Sequence, residues 1–354
     1  MAVGTEGLAD RGLVGNGRFR QPLLALAISL LLGVLFILPT GENPLAVYGK
    51  WFVAGFSCRG AGSQCAILTA LQYATPLLLS GLAAMMAFRV GLFSIGQFGQ
   101  MIMGAGVATF VAGSLDWPPG VRGVTAVFCG MIAGGLWSAI PGFLRAYLGI
   151  HEVITTILLN PLAAAAVGPF SWQRIPPEMQ LTPLVPTTKL TLSLFIALVV
   201  AGLVYFYLWR MGSGFALRMS GQAQNVARYA GMQPRRAIVW GMALSGALAG
   251  LAGALEVLGV HYRFVSNFSS IDQFDGIIVA LMGQLHPVGI ALSALLLGGL
   301  RLGTLTGLQL ETAVPRELGS AIIALTMLFL AMPKLLVWFR AVAPENSLWQ
   351  KIES

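Results

Sequence analysis

Charge is what this sequence has least of. Asp, Glu, Lys and Arg make up 10% of its 354 residues, against roughly 25% in an ordinary soluble domain. In their place 56% are hydrophobic, and the mean hydropathy is +0.80. That balance excludes a soluble enzyme and a disordered chain. Cysteine is scarce as well: Cys58, Cys65 and Cys129 are too few for a disulfide framework, and no CxxC or His/Cys cluster offers a metal site. Cys58 and Cys65 either pair, if their loop faces an oxidising compartment, or are two unrelated small residues. The histidines, His151, His261 and His286, lie far apart, and neither HExxH nor GxSxG occurs. Lysine is confined to Lys50, Lys189, Lys334 and Lys351. None is followed by Ser or Thr, so there is no P-loop for ATP. The expectation is a chain without catalytic residues, metal or cofactor of its own, to which any coupling to ATP comes from a partner.

The net charge of +8 and pI near 9.8 would suggest nucleic acid in a soluble chain. No Lys/Arg run with interleaved aromatics is present, so nucleic acid is excluded as a partner. The basic excess instead fits loops facing the anionic headgroups of membrane lipid.

What is present is a series of apolar runs bounded by Pro, Gly and charged clusters: 22–38, 64–88, 90–112, 121–141, 152–170, 190–209, 237–260, 276–300 and 319–339. A span needs about 20 apolar residues. The chain therefore reads as an all-α, polytopic transmembrane bundle of about 8–10 helices. The first run lacks a small-x-small cleavage site, which makes it an uncleaved span rather than a signal peptide. Residues 1–21 then form a polar N-terminal segment, 22–340 the membrane domain, and 341–354 a polar tail. Gly276 to Gln284 is only nine residues long before Leu285-His286-Pro287, about 13.5 Å of helix against a core of about 30 Å. Residues 272–284 are therefore expected to be a half-span that enters from outside and turns back near mid-membrane, with 287–308 a new element and the break near 272–290. A Pro-kinked continuous helix is the alternative. With that segment not counted as a crossing, both termini fall on one side. Arg11, Arg18, Arg20, Lys334, Arg340 and Lys351 at the ends, Arg89, Arg145, and Arg210, Arg218, Arg228, Arg235 and Arg236 in the loop 210–236 make that side the cytoplasm.

Small residues at three- or four-residue spacing (Gly104-Ala105-Gly106, Gly130, Gly134-Gly135, Gly246, Gly250, Gly253) suit close helix packing in lipid. Charges inside the runs are few. Glu256 either faces a cavity or is an interfacial carboxylate paired with Arg263 or His261. Arg301 snorkels or pairs with an acid such as Glu311 or Glu317, and Glu152 suits a helix N-terminus. Phe93, Ser94, Gln97, Gln100, Thr155, Thr156 and Asn160 place aromatic, hydroxyl and amide groups in apolar surroundings. Such groups either glue helices or border a solvated path. In the loop 210–236 the spacing predicts a short helix over Gln222–Tyr229, with Ala223, Val226, Ala227 and Ala230 as a small-residue face bounded by Arg228, and Gly231 as terminator.

At these residues the sequence resembles a known family. Thr75-Pro76-Leu77-Leu78-Leu79-Ser80-Gly81-Leu82 followed by Ala87-Phe88-Arg89-Val90-Gly91-Leu92-Phe93-Ser94-Ile95-Gly96-Gln97-Phe98-Gly99-Gln100 is similar to TPLxLxGLxxxxAFRxGLFNIGxxGQ. That signature belongs to permease subunits of ABC importers of the ribose and branched-chain amino-acid superfamily, nearest the nucleoside and simple-sugar branch. His151–Asn160 resembles that branch's NEVIxTxMLN, Gly221–Gly231 its GxNxxAAxYAGI coupling loop, and Phe274–Gly283 its GFDGIAVALLG. Ser94, His151 and Phe98 depart from the pattern, and Gln224 and Asn225 are displaced within it.

The resemblance implies a bacterial plasma-membrane subunit that is not itself an enzyme. It would pair with a second, paralogous permease and with ABC ATP-binding subunits that hold ATP and Mg. An extracytoplasmic binding (lipo)protein would deliver a nucleoside or related ribose compound. Branched-chain amino acids and free sugars remain alternatives. Phe93, Ser94, Gln97, Gln100, Thr155, Thr156 and Asn160 would border the substrate pathway. Gln222, Ala223, Asn225, Ala227, Arg228, Tyr229, Ala230 and Gly231 would form the ATPase coupling loop. An ion-coupled secondary transporter, the reading from another class, would need buried carboxylates, for which Glu256 is the candidate.

Overall fold

The computed structural model describes residues 20–58, 65–115, 117–168, 173–185, 188–264, 274–309, 312 and 314–331. The polar segments expected at the two ends lie mostly outside these residues. The described chain is helical, with isolated β-bridges and no strand. Its helices are α1 (Arg20–Ile37), α2 (Pro44–Phe56), α3 (Ala66–Arg89), α4 (Gln97–Ser114), α5 (Pro119–Leu148), α6 (Glu152–Val167), α7 (Ser193–Arg210), α8 (Gly212–Gln222), α9 (Gln224–Tyr229), α10 (Pro234–Glu256), α11 (Asp275–Met282), α12 (Pro287–Gly303) and α13 (Arg316–Ala331). Among the described residues five helices or helix continuations are long and apolar enough to cross a bilayer, 66–89, 120–148, 193–210, 234–261 and 287–308, or six if the bent pair 26–40 and 44–56 is one span.

α10 forms the centre and packs chiefly on α5, α4 and α3. The spaced glycines explain how closely it does so. A Cβ on Gly104, Gly130, Gly134, Gly246 or Gly250 would run into the facing backbone. In lipid, where apolar side chains gain little by associating, such backbone contact is what holds helices together.

Two elements differ from expectation. α2 is absent from the sequence reading, although Gly41 (φ 76), the Asn43 cap on Leu45 N–H (3.0 Å) and Pro44 at the first helical position mark its start. It bends 113° away from α1 and is pinned to α12 by the Trp51 indole, which donates to the Leu300 carbonyl (2.7 Å) and the Thr304 hydroxyl (3.0 Å).

The second is α11, which is a half-length helix as expected but does not turn back at mid-bundle. Gly276 lies against Ser80, and the turn after α11 reaches the C-terminal end of α3, where Arg89 Nη2 donates to the Leu285 carbonyl (2.6 Å). Gln284 and Leu285 make this turn with positive φ (54° and 51°). The turn that ends α11 therefore lies at the end of the bundle opposite Tyr262, which follows α10.

Cys58 and Cys65 are joined in a disulfide between α2 and α3, at the end of the bundle opposite α8 and α9. The pairing alternative of the sequence reading is thus the one the structure takes.

Candidate functional site

Two sets of predicted residues can be followed. The first is built on one face of α6. Glu152, Thr156 and Asn160 recur every four residues and so lie along a single stripe, and all three are buried. Each meets the segment between α3 and α4. Glu152 Oε1 accepts the Phe93 N–H (3.3 Å), Thr156 Oγ1 accepts that of Ile95 (3.3 Å), and Asn160 Oδ1 accepts that of Gly99 (3.0 Å). Asn160 Nδ2 also donates to the Ile95 carbonyl (3.0 Å). This stripe satisfies backbone groups that an irregular segment inside an apolar bundle would otherwise leave unpaired.

The segment's own polar groups add to it. Ser94 Oγ accepts the Gly96 N–H (3.3 Å), Gln97 Nε2 donates to the Ser94 carbonyl (3.0 Å), and Gln100 Nε2 donates to Ser138 Oγ (3.0 Å). The carboxamide oxygens of Gln97 and Gln100 are buried with no hydrogen-bond partner among the described residues. Phe93 is the exception in exposure, its ring 5.4 Å from that of Phe88. Thr155 stays out of the cluster and bonds its own helix at the Glu152 carbonyl (3.0 Å).

From sequence Glu152 is expected to be a helix-start carboxylate. It is that, and it also pairs with Arg145 (3.3 Å) and holds Phe93. The signal was the 152/156/160 spacing.

The second set is the loop 210–236. The expected helix over Gln222–Tyr229 is two helices, α8 and α9, broken at Ala223 (φ −149°, ψ 81°). Gln222 thus ends α8 instead of opening the short helix. Gly231 terminates α9 in the left-handed conformation (φ 77°). Its N–H bonds the Arg228 carbonyl (3.0 Å), and the Met232 N–H bonds that of Ala227 (2.9 Å), a Schellman end. Ala227 is fully buried against its own chain. Asn225, Arg228, Ala230 and above all Tyr229, 94% exposed, point outward.

α8 in turn leans on the end of α3, where Gly221 abuts the Arg89 carbonyl and Gly91. Beside it, Arg89 and Arg218 stand over the Trp209 ring at 5.1 and 5.6 Å, and His286 lies 5.4 Å from it. Trp209, unremarked in the sequence, therefore joins α7, α8, α3 and the turn after α11.

The buried charges are paired. Glu256 meets His261 (3.6 Å), one of the alternatives open from sequence. Arg301 pairs with Asp275, a partner that the sequence reading does not name. Glu311 lies outside the described residues.

Long apolar helices packed backbone to backbone, a half-length helix, and a pair of short helices displayed at the arginine-rich end define a multi-pass membrane protein built around a broken span. The chain belongs to the family described as branched-chain amino acid transport system / permease component, whose model matches residues 66–331. It is 36% identical to the guanosine ABC transporter permease protein NupP of Bacillus subtilis (strain 168), over 88% of this chain and 92% of that protein. It is 31% identical to the nucleoside ABC transporter permease protein NupB of Lactococcus lactis subsp. cremoris (strain MG1363), over 88% and 90%. To the glucose ABC transporter permease protein TsgB13 of Haloferax volcanii it is 28% identical, over 88% and 87%.

Proposed function

We propose that this permease subunit carries nucleosides into a bacterial cell across the plasma membrane. The translocation is driven by ATP hydrolysis on separate subunits that hold ATP and Mg. A second, paralogous permease completes the channel, and an extracytoplasmic binding protein delivers the substrate. The observation that carries the reading is the identity, above 30% over about nine-tenths of the chain, to two permease proteins named for guanosine and nucleoside transport. The arginine-rich end, with α8, α9 and both termini, faces the cytoplasm in this reading, because basic residues are retained there. α9 is the contact for the ATPase, with Tyr229 as its anchor.

Phe93, Ser94, Gln97, Gln100, Thr156 and Asn160 border the inner part of the path. The exposed Phe93 ring and the unpartnered Gln97 and Gln100 oxygens favour this assignment, because native proteins rarely leave buried acceptors without a donor. Thr155 is the weakest member, being turned to its own helix.

The test is uptake by proteoliposomes containing both permeases and the ATPase, supplied with the binding protein. ATP-dependent accumulation of labelled guanosine is expected, with little of glucose or leucine. Accumulation of glucose instead would favour the sugar reading that the Haloferax relative suggests. Uptake indifferent to ATP would overturn both.

A further inference from the structure

Two backbone irregularities and a cavity meet at the end of α10 remote from α8 and α9. The helix passes at Val257–His261 into a π-helix, a form that is rare and concentrated at functional sites. Tyr262 follows in the left-handed conformation (φ 56°), which is unfavourable for a residue with a Cβ. The strain is held by backbone bonds, since the Tyr262 carbonyl accepts the Ile175 N–H (3.0 Å) and the Leu258 carbonyl accepts that of Leu181 (3.0 Å). Strain of this kind persists where the surroundings over-determine it, and it clusters at ligand sites. Here the surroundings form a cavity of about 420 Å³, whose walls include Arg174, Gln180, His261, Tyr262 and Arg263. That volume lies within the roughly 300–1,000 Å³ of small-molecule sites. Behind the wall the buried Glu256 carboxylate faces His261 Nε2 at 3.6 Å, beside the ring that lines the cavity.

From this we infer that the cavity is a receiving site for the base of a nucleoside, on the face where the binding protein delivers it. The inference rests on the nucleoside reading above. The lining chemistry selects among the candidate substrates. It offers a phenol ring and two guanidiniums, which stack on flat heteroaromatics, and guanidinium, amide and imidazole groups that pair with base edges. Among the described lining residues there is no carboxylate for an amino acid's ammonium group. Tyr262 supplies the stacking face, Arg174 and Arg263 the donors to ring carbonyls, and Glu256 acts as a positioning residue through His261.

The experiment uses the reconstituted complex, 8-azidoguanosine as photoprobe, and the variants Tyr262→Gly and Arg174→Ala/Arg263→Ala. Tyr262→Gly removes the ring while relieving the positive φ, so a merely structural role predicts unchanged or higher melting temperature and unchanged transport. The expected result is probe attachment within 174–180 or 257–263, competed by guanosine and not by glucose or leucine. KM for guanosine should rise about tenfold or more, with kcat and melting temperature retained. Attachment elsewhere with unchanged KM, in a complex that does take up guanosine, overturns the site and leaves the nucleoside reading intact. Raised KM without attachment at either peptide makes the cavity a docking face for the binding protein and also overturns it. A wild-type complex that takes up glucose and not guanosine overturns the nucleoside reading itself.

Discussion

The outward face of α9 gives the sharpest test of coupling, because two residues on one short helix have opposite environments. Tyr229 is 94% exposed and Ala227 is 0% exposed. Tyr229→Ala removes a side chain that touches little of its own chain, so folding stability should change by no more than about 0.5 kcal/mol. If the ring fills a groove on the ATPase, its loss should weaken binding about thirtyfold, the hot-spot threshold of about 2 kcal/mol expressed as affinity. Ala227→Glu places a carboxylate in a buried position without a partner. That costs several kcal/mol and should lower the yield of folded permease before docking is ever tested. Gly231→Val sits between them: nothing lies within 4 Å of a Cβ there, so the cost is the left-handed backbone alone, about 1–2 kcal/mol. The assay is affinity of purified permease for the ATPase by biolayer interferometry, alongside melting temperature for each variant. Unchanged affinity in Tyr229→Ala, with Ala227→Glu folded and binding normally, would refute the assignment of α9 as the contact.

Three further outcomes follow from the packing. Asn160→Leu leaves the Gly99 N–H and the Ile95 carbonyl without their partner and should destabilise the purified complex by about 1–3 kcal/mol, read as a fall in melting temperature with reduced uptake. Asn160→Asp keeps the acceptor for Gly99 but buries a carboxylate against the Ile95 carbonyl, and should lose at least as much. Asp275→Asn breaks the buried pair with Arg301 and should cost about 3–5 kcal/mol, whereas the double variant Asp275→Asn/Arg301→Met should recover much of it in the same melting assay. In intact cells a membrane-impermeant maleimide should label Cys58 and Cys65 only after reduction and from outside; labelling solely in inverted vesicles would reverse the proposed orientation.

The sequence was most legible where hydropathy alone decides structure. The runs expected at 190–209 and 237–260 are helices at Ser193–Arg210 and Pro234–Glu256, and the nine-residue run 276–284 is the half-length helix Asp275–Met282. Periodicity was silent on direction. The short run was read as turning back in mid-membrane, yet the contact that sets its end, Arg89 to the Leu285 carbonyl, joins residues 196 positions apart. α2 escaped because Glu42 and Lys50 lower the hydropathy of a segment whose Gly41, Asn43 and Pro44 carry ordinary start signals. At the site, composition could place polar groups in apolar surroundings but could not say what they face. Thr155 and Thr156 are neighbours in sequence. Both bond the Glu152 carbonyl of their own helix, and Thr156 alone also accepts an N–H from a segment 61 residues away.

The same distinction between composition and placement governs how the two halves of the machine communicate. α8 and α9 carry the face proposed for the ATPase, whereas α11 belongs to the broken span, and no covalent neighbour links them. Trp209 closes the gap. Arg218 from α8 and Arg89 from α3 stand over its ring, Tyr205 stacks on it at 5.2 Å, and His286 from the turn after α11 approaches within 5.4 Å. Arg89 also binds that turn directly, and Gly221 of α8 has no room for a Cβ against the Arg89 carbonyl. With no slack at Gly221 and a guanidinium shared between Trp209 and Leu285, a displacement of α8 changes the contacts of Arg89, and Arg89 holds the end of the half-helix. Packed interiors respond to such changes by switching between discrete arrangements rather than by stretching. Gln284 and Leu285 make the turn that Arg89 holds with positive φ, a conformation that residues with a Cβ adopt only at a cost.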